Sequence, residues 1–173
     1  MDVKINCGSG QRRFDVSLGW VNVDLVSREG QVPDIIADGA VLPFDSASSS
    51  LVVLHHVLEH FGCGEADGLI RECHRVLQPG GSLLVFVPDL WKLAQRWMIG
   101  EIDDYIYCVN LYGAYQGDPG SRHYWGVRRQ SLVRALSGND FARWSQIKPF
   151  DWRLIPGADL AKDWWICAME AVK

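Results

Sequence analysis

The chain has 173 residues, 48% of them hydrophobic and 22% charged, enough apolar material for one compact domain with a buried core. Its 17 Lys and Arg stand against 21 Asp and Glu, a formal net charge of −4, which excludes a surface built to gather nucleic acid by charge alone. No run approaches the roughly 20 apolar residues of a membrane helix, and the opening MDVKINCGSG has no basic stretch followed by an apolar one, so a soluble, cytoplasmic protein is expected.

Val3, Ile5 and Cys7 alternate with polar neighbours and stop at Gly8-Ser9-Gly10, a strand running into a tight loop. Only the nine residues Gln11 to Gly19 precede Trp20, so a helix between the first two strands is short or absent. Val21, Val23 and Leu25 mark a second strand with Asp24 near its end. Residues 34–38 read as a short third and 51–54 as a fourth. Between Glu65 and Leu77 the apolar residues Ala66, Leu69, Ile70, Cys73 and Val76 recur at helical spacing, and Pro79-Gly80-Gly81 is expected to end that helix before a fifth strand over 82–87. Asp89 suits either the cap of a helix closed by Gly100 or an acid that contacts a ligand. Residues 101–129, rich in Tyr and Gly, read as an irregular but ordered aromatic excursion, expected to cover the substrate side of the site. A short helix over 131–136 and two apolar runs, 144–150 and 164–169, close the chain as an expected antiparallel pair. This alternation predicts an α/β protein, one domain over 1–173, with a mostly parallel sheet and helices on both faces.

Five scattered cysteines without a C-x-x-C pair argue for reduced thiols. His60 and Cys63 stand in an H-x-x-C spacing with Cys73-His74 downstream, but Gly62 and Gly64 suit a turn better, and no metal is expected. The Gly-Ser-Gly loop and the later acid suit nucleotide-binding folds in general. A dinucleotide reading wants G-x-G-x-x-G opening a helix, and here Gly10 is followed by Gln11-Arg12-Arg13, which counts against an NAD-dependent oxidoreductase.

Five segments in chain order make a tighter match: INCGSG (5–10), GWVNVDL (19–25), DGAVLPF (38–44), HHVLEHF (55–61) and ECHRVLQPGGSLLVFVPDL (72–90). Together they resemble the class I S-adenosylmethionine-dependent methyltransferases of the type 11 kind, closest to small enzymes associated with surface-glycan and lipopolysaccharide synthesis. The resemblance implies a Rossmann-like sheet of seven strands with the last strand antiparallel. It implies that Gly8, Ser9 and Gly10 pass beneath the methionine part of S-adenosylmethionine. Asp24, with Leu25 beside it, would hold the ribose hydroxyls, and Asp38, Gly39 and Ala40 would meet the adenine. Two departures are visible: Ser50 stands where the family usually has Asp, and the first helix is curtailed.

Methyl transfer from a sulfonium needs alignment and exclusion of water more than it needs a base, but a hydroxyl acceptor would be helped by histidine. His55 and His56 follow the fourth strand, whose carboxyl end borders the ligand crevice, and His55 also counts among the cofactor-side residues. His123 lies in the aromatic excursion and is a third catalytic candidate, whereas Glu59 and His60 read as structural. Arg122, Arg128, Arg129 and Arg134 suit either a solvated face or an anionic group on the acceptor. The resulting expectation is transfer to a small-molecule or glycan-linked acceptor, most plausibly at oxygen, releasing S-adenosylhomocysteine. No nucleic-acid partner is expected and a homo-oligomer stays open. The rival is a non-catalytic module that keeps the cofactor fold and binds a partner.

Overall fold

The computed structural model describes residues 3–62, 64–114, 119–147 and 166–173. Five parallel strands, β1 (Val3–Cys7), β2 (Trp20–Asp24), β3 (Ile35–Ile36), β4 (Ser49–His55) and β5 (Leu77–Pro88), are joined by β6 (Arg143–Gln146) and β7 (Ile166–Val172). They form one sheet in the order β3-β2-β1-β4-β5-β7-β6, with β7 antiparallel to both of its neighbours. The order reverses direction beside β1, so the carboxyl ends of β1 and β4 diverge there and open a crevice. The predicted seven-stranded sheet and its antiparallel strand are therefore both present. Of the two terminal runs, 148–150 and 164–165 lie outside the described residues.

Four helices are described: α1 (Ala66–Val76), α2 (Leu90–Met98), α3 (Asp104–Tyr112) and α4 (Arg129–Ser137). The sheet face carrying Ile5, Val23, Val52, Leu54, Leu83 and Val85 packs on Leu69, Ile70 and Cys73 of α1 and on Leu132 and Leu136 of α4. The other face carries Phe14, Trp20, Val53, Leu84 and Phe86, and among the described residues no helix enters that cluster. The expectation of helices on both faces is met by α1 and α4 on one face. On the other, the segment after β1 runs across the sheet as a strap and makes only a single 3-10 turn, Val16–Leu18.

Side-chain amides hold that strap where a helix would hold itself. Asn22 Nδ2 donates to the Phe14 carbonyl and to Asp34, its Oδ1 accepts from Phe14 N at 2.7 Å and from Asn6 Nδ2 at 2.9 Å, and Asn6 also donates to the Arg12 carbonyl. Both asparagines are buried, so each bond is made where water cannot replace it. Arg13 and Asp34 close the network with an ion pair.

Two further expectations change. Pro79-Gly80-Gly81 ends no helix before a separate strand: α1 already stops at Val76, and β5 runs through these residues, with the register shifting between Ser49 and Leu51 to absorb them. The excursion at 101–129 is not irregular throughout, since Asp103 caps α3 by accepting from Ile106 N at 2.8 Å. No α3 side chain is buried, so apolar periodicity had nothing to mark it. Among the described residues no helix is long and apolar enough to cross a membrane.

Candidate active site at the carboxyl ends of the strands

A cavity of about 620 Å³ opens at the ends of β1, β2 and β4, a size that suits a cofactor with part of an acceptor. Its floor is the loop after β1. Gly8 and Gly10 both take positive φ, 71° and 45°, which glycine adopts without strain. Gly8 N and Ser9 N donate to the Val23 carbonyl, tying the loop to β2. A Cβ on Gly8 would overlap Val57, whereas one on Gly10 would meet nothing within 4 Å, so Gly10 leaves backbone bare towards open space.

Asp24 ends β2 beside this loop, one carboxylate oxygen accepting from Gly10 N at 2.8 Å and the other from Val26 N at 3.0 Å. Each oxygen keeps a further lone pair for a donor in the cavity. Asp38 accepts from Ala40 N at 2.9 Å, a turn that presents Gly39 to the cavity wall against Cys7 and Leu69. Burial, with Asp24 and Asp38 close by, pushes the Cys7 thiol up to about 12, so that sulfur is no nucleophile. Gly8, Gly10, Asp24, Leu25, Asp38 and Gly39 line the cavity; Ser9 and Ala40 do not.

The histidines part company. His55 does not line the cavity: its side chain lies on the strap face, stacked on Phe86 at 5.5 Å, and its Nε2 accepts from Arg12 Nη1 at 3.0 Å. Burial, His56 and Arg12 hold it down at about 3, a neutral structural ring rather than a base. His56 takes φ 56°, a left-handed conformation rare outside glycine, and its ring enters the cavity with Nδ1 2.9 Å from Glu59 Oε1. His123 also lines the cavity, and burial lowers its pKa.

Residues from the aromatic excursion form the opposite wall, among them Val109, Asn110, Ser121, His123 and Tyr124. Sequence reasoning named His123 but missed the α3 residues, and it read Glu59 and His60 as structural although His60 lines the cavity. The excursion is fastened to the turn after β4 by backbone: Tyr124 N donates to the Glu59 carbonyl at 2.8 Å, and His60 Nδ1 lies 2.9 Å from the Arg122 carbonyl. Asp89 is the α2 cap, accepting from Trp91 N and Lys92 N, and is not a cavity residue. Arg122, Arg128, Arg129 and Arg134 do not line the cavity either.

Residues 7–85, which supply the glycine loop, both acids and the β4 end, match the family described as the methyltransferase domain. That match spans 79 of the 173 residues. No curated protein matches the chain significantly. Solved structures share the fold of this chain at low identity. An S-adenosylmethionine-dependent methyltransferase from Archaeoglobus fulgidus has a TM-score of 0.63 at 14% identity, over 99% of this chain and 86% of that one. The 1,6-didemethyltoxoflavin-N1-methyltransferase of Burkholderia thailandensis, solved with 1,6-didemethyltoxoflavin and S-adenosylhomocysteine, has 0.59 at 16%, over 99% and 70%. The geranyl diphosphate C-methyltransferase of Streptomyces coelicolor has 0.57 at 13%, over 99% and 70%. The similar structures are those of methyltransferases, the Archaeoglobus fulgidus one described as S-adenosylmethionine-dependent. This chain's residues fit S-adenosylmethionine: a bare glycine backbone, a carboxylate with free lone pairs and a cavity of adequate volume.

Proposed function

We propose that the chain transfers the methyl group of S-adenosylmethionine to an oxygen nucleophile on a small-molecule or glycan-linked acceptor. The observation that carries this reading is the two-sided cavity, with the glycine loop, Asp24 and Asp38 on one wall and His56, His60 and His123 on the other. When bound, the cofactor supplies a methyl already activated as a sulfonium, so this chain's residues need only bind, align and exclude water. Asp24 would accept from the ribose diol, Gly8 and Gly10 would let the backbone approach the methionine part, and Asp38 with Gly39 would border the adenine.

On the facing wall, His56 is the candidate base, because its ring enters the cavity and Glu59 Oε1 stands 2.9 Å from its Nδ1 to orient it and stabilise the charge it gains. The segment 101–129 would close over the acceptor side, a role supported by the residues it gives to the cavity wall. The solved relatives methylate nitrogen and carbon acceptors, so the acceptor atom rests on this chain's histidines rather than on likeness.

The test is calorimetry with S-adenosylhomocysteine, followed by transfer of a labelled methyl from S-adenosylmethionine to panels of sugars, nucleoside-free hydroxy acids and amines. Binding with turnover on a hydroxyl is the expected result. Binding with no turnover on any acceptor favours a non-catalytic, partner-binding module, and turnover on amines alone overturns the oxygen assignment.

A further inference from the structure

Glu59 presents a problem that methyl transfer does not solve. It is 1% exposed, one of its oxygens faces His56, and the other, Oε2, has no hydrogen-bond partner. A buried carboxylate oxygen without a partner is costly, and such atoms are uncommon unless something binds them.

Two imidazoles stand beside it. One ligand atom from each of Glu59, His60 and His123 lies within 4.8 Å of the others, and the His60 and His123 rings meet at 4.8 Å between centroids with planes 74° apart. Each ring has Nδ1 2.9 Å from a backbone carbonyl, that of Arg122 for His60 and that of Asn110 for His123. The carbonyls can only accept, so both Nδ1 atoms carry the proton and both Nε2 atoms keep a lone pair. A histidine whose outer nitrogen donates to a carbonyl is oriented as metal-ligating histidines are.

We propose that Glu59, His60 and His123 bind a divalent transition-metal ion of the zinc, cobalt or manganese kind on the acceptor wall of the cavity. Two nitrogens and one carboxylate oxygen suit these ions and disfavour magnesium, which prefers oxygen ligands and retains its waters. Donor atoms around zinc stand roughly 3.3 Å apart, so the cluster closes by small side-chain rotations. Three protein ligands leave a position open, and His60 and His123 both line the cavity, so that position faces the acceptor space. An acceptor hydroxyl seated there would lose its proton more readily, the proton passing to His56 and the oxygen then attacking the methyl group as its bond to the sulfonium sulfur breaks and S-adenosylhomocysteine leaves. That role rests on the methyl-transfer reading; the binding of the ion does not.

The backbone agrees with a built site. Tyr124 N and Trp125 N both donate to the Glu59 carbonyl, fixing the His123 segment against the Glu59–His60 turn.

The experiment is titration of chelator-treated full chain with Co²⁺ and Zn²⁺, followed by visible absorption and calorimetry, with Mg²⁺ as the contrast. One equivalent is expected to bind with a cobalt spectrum of nitrogen and oxygen ligation, and His60→Ala and His123→Ala are each expected to weaken binding by more than about tenfold. Both replaced rings are partly exposed, and thermal unfolding of each variant checks that the fold survives. Failure of Co²⁺, Zn²⁺ and Mn²⁺ alike to bind stoichiometrically overturns the proposal, as does equal affinity in the folded variants. S-adenosylhomocysteine binding is read in parallel without added ion. If it fails while the ion binds, the methyl-transfer reading falls and the metal site stands; if it holds while the ion fails, the reverse follows.

Discussion

The two walls of the cavity are built on different principles. The wall proposed for the cofactor comes from residues 7–39, close in sequence, and its shape is set by backbone: two left-handed glycines, a strand-end acid and an Asx turn. The facing wall joins the turn after β4 to α3 and the segment 120–124, and it exists only once backbone hydrogen bonds such as Tyr124 N to the Glu59 carbonyl have formed across the chain. A local wall is positioned as the strands form. A long-range wall depends on tertiary closure, which makes it the part that motion and mutation reach first.

The sharpest way to break this comparison is to attack the strap that backs the cofactor wall. Asn22→Ala strips the buried Phe14 N and O of their partners and removes one of the donors to Asp34, and stability measured by urea unfolding should fall by about 3 to 4 kcal/mol. A loss under about 1 kcal/mol would mean that the amide network is not what holds the strap.

Asp24→Ala tests the wall itself. S-adenosylhomocysteine affinity, read by calorimetry, should weaken by on the order of 1 to 3 kcal/mol, while His123→Ala on the other wall leaves it nearly unchanged. Equal losses for the two variants would erase the distinction between walls.

Acid should also act on the strap side. His55 is held at about 3 against an ordinary 6.5, so the unfolded chain binds the extra proton between those values. Its stabilisation is complete above pH 6.5 and is lost as pH falls towards 3, at up to about 1.4 kcal/mol per pH unit. His74 and His123 are also lowered, by burial first, and act in the same direction. His55→Gln should flatten the slope of unfolding free energy between pH 6.5 and 5, and an unchanged slope would locate the acid sensitivity elsewhere.

The smallest effect belongs to the facing wall. Trp97 stacks on Tyr107 at 4.7 Å, and this pair joins α2 to α3 near the surface. Tyr107→Ala should cost under about 1 kcal/mol in global stability yet speed hydrogen exchange across 104–112. A global loss of several kcal/mol would show that α3 belongs to the core after all.

How much of this was legible in the sequence follows the same division. Asp24, Gly8 and Gly10 announce themselves because a strand end, a turn and an acid fall within one short stretch. His55 misled because it follows the fourth strand as His56 does, and nothing in the order of two histidines shows which ring turns inward; the left-handed φ of His56 and the Arg12 contact decide it. Glu59 and His60 read as structural because their partner His123 is remote in sequence. Val109 and Asn110 left no signal, since α3 buries no apolar stripe.

The strap has an electrical consequence. A helix following β1 would aim the positive end of its dipole at the ligand, which is how phosphate-binding folds attract pyrophosphate. Here amide side chains hold an extended segment with one 3-10 turn, so no such pole faces the glycine loop. Asp24 and Asp38 lie nearby and, after burial, help raise the Cys7 thiol to about 12, while Arg28 lines the same cavity. With no helix pole aimed at it, the glycine loop offers a dinucleotide's phosphates none of their usual attraction, whereas the two carboxylates suit a sulfonium cation.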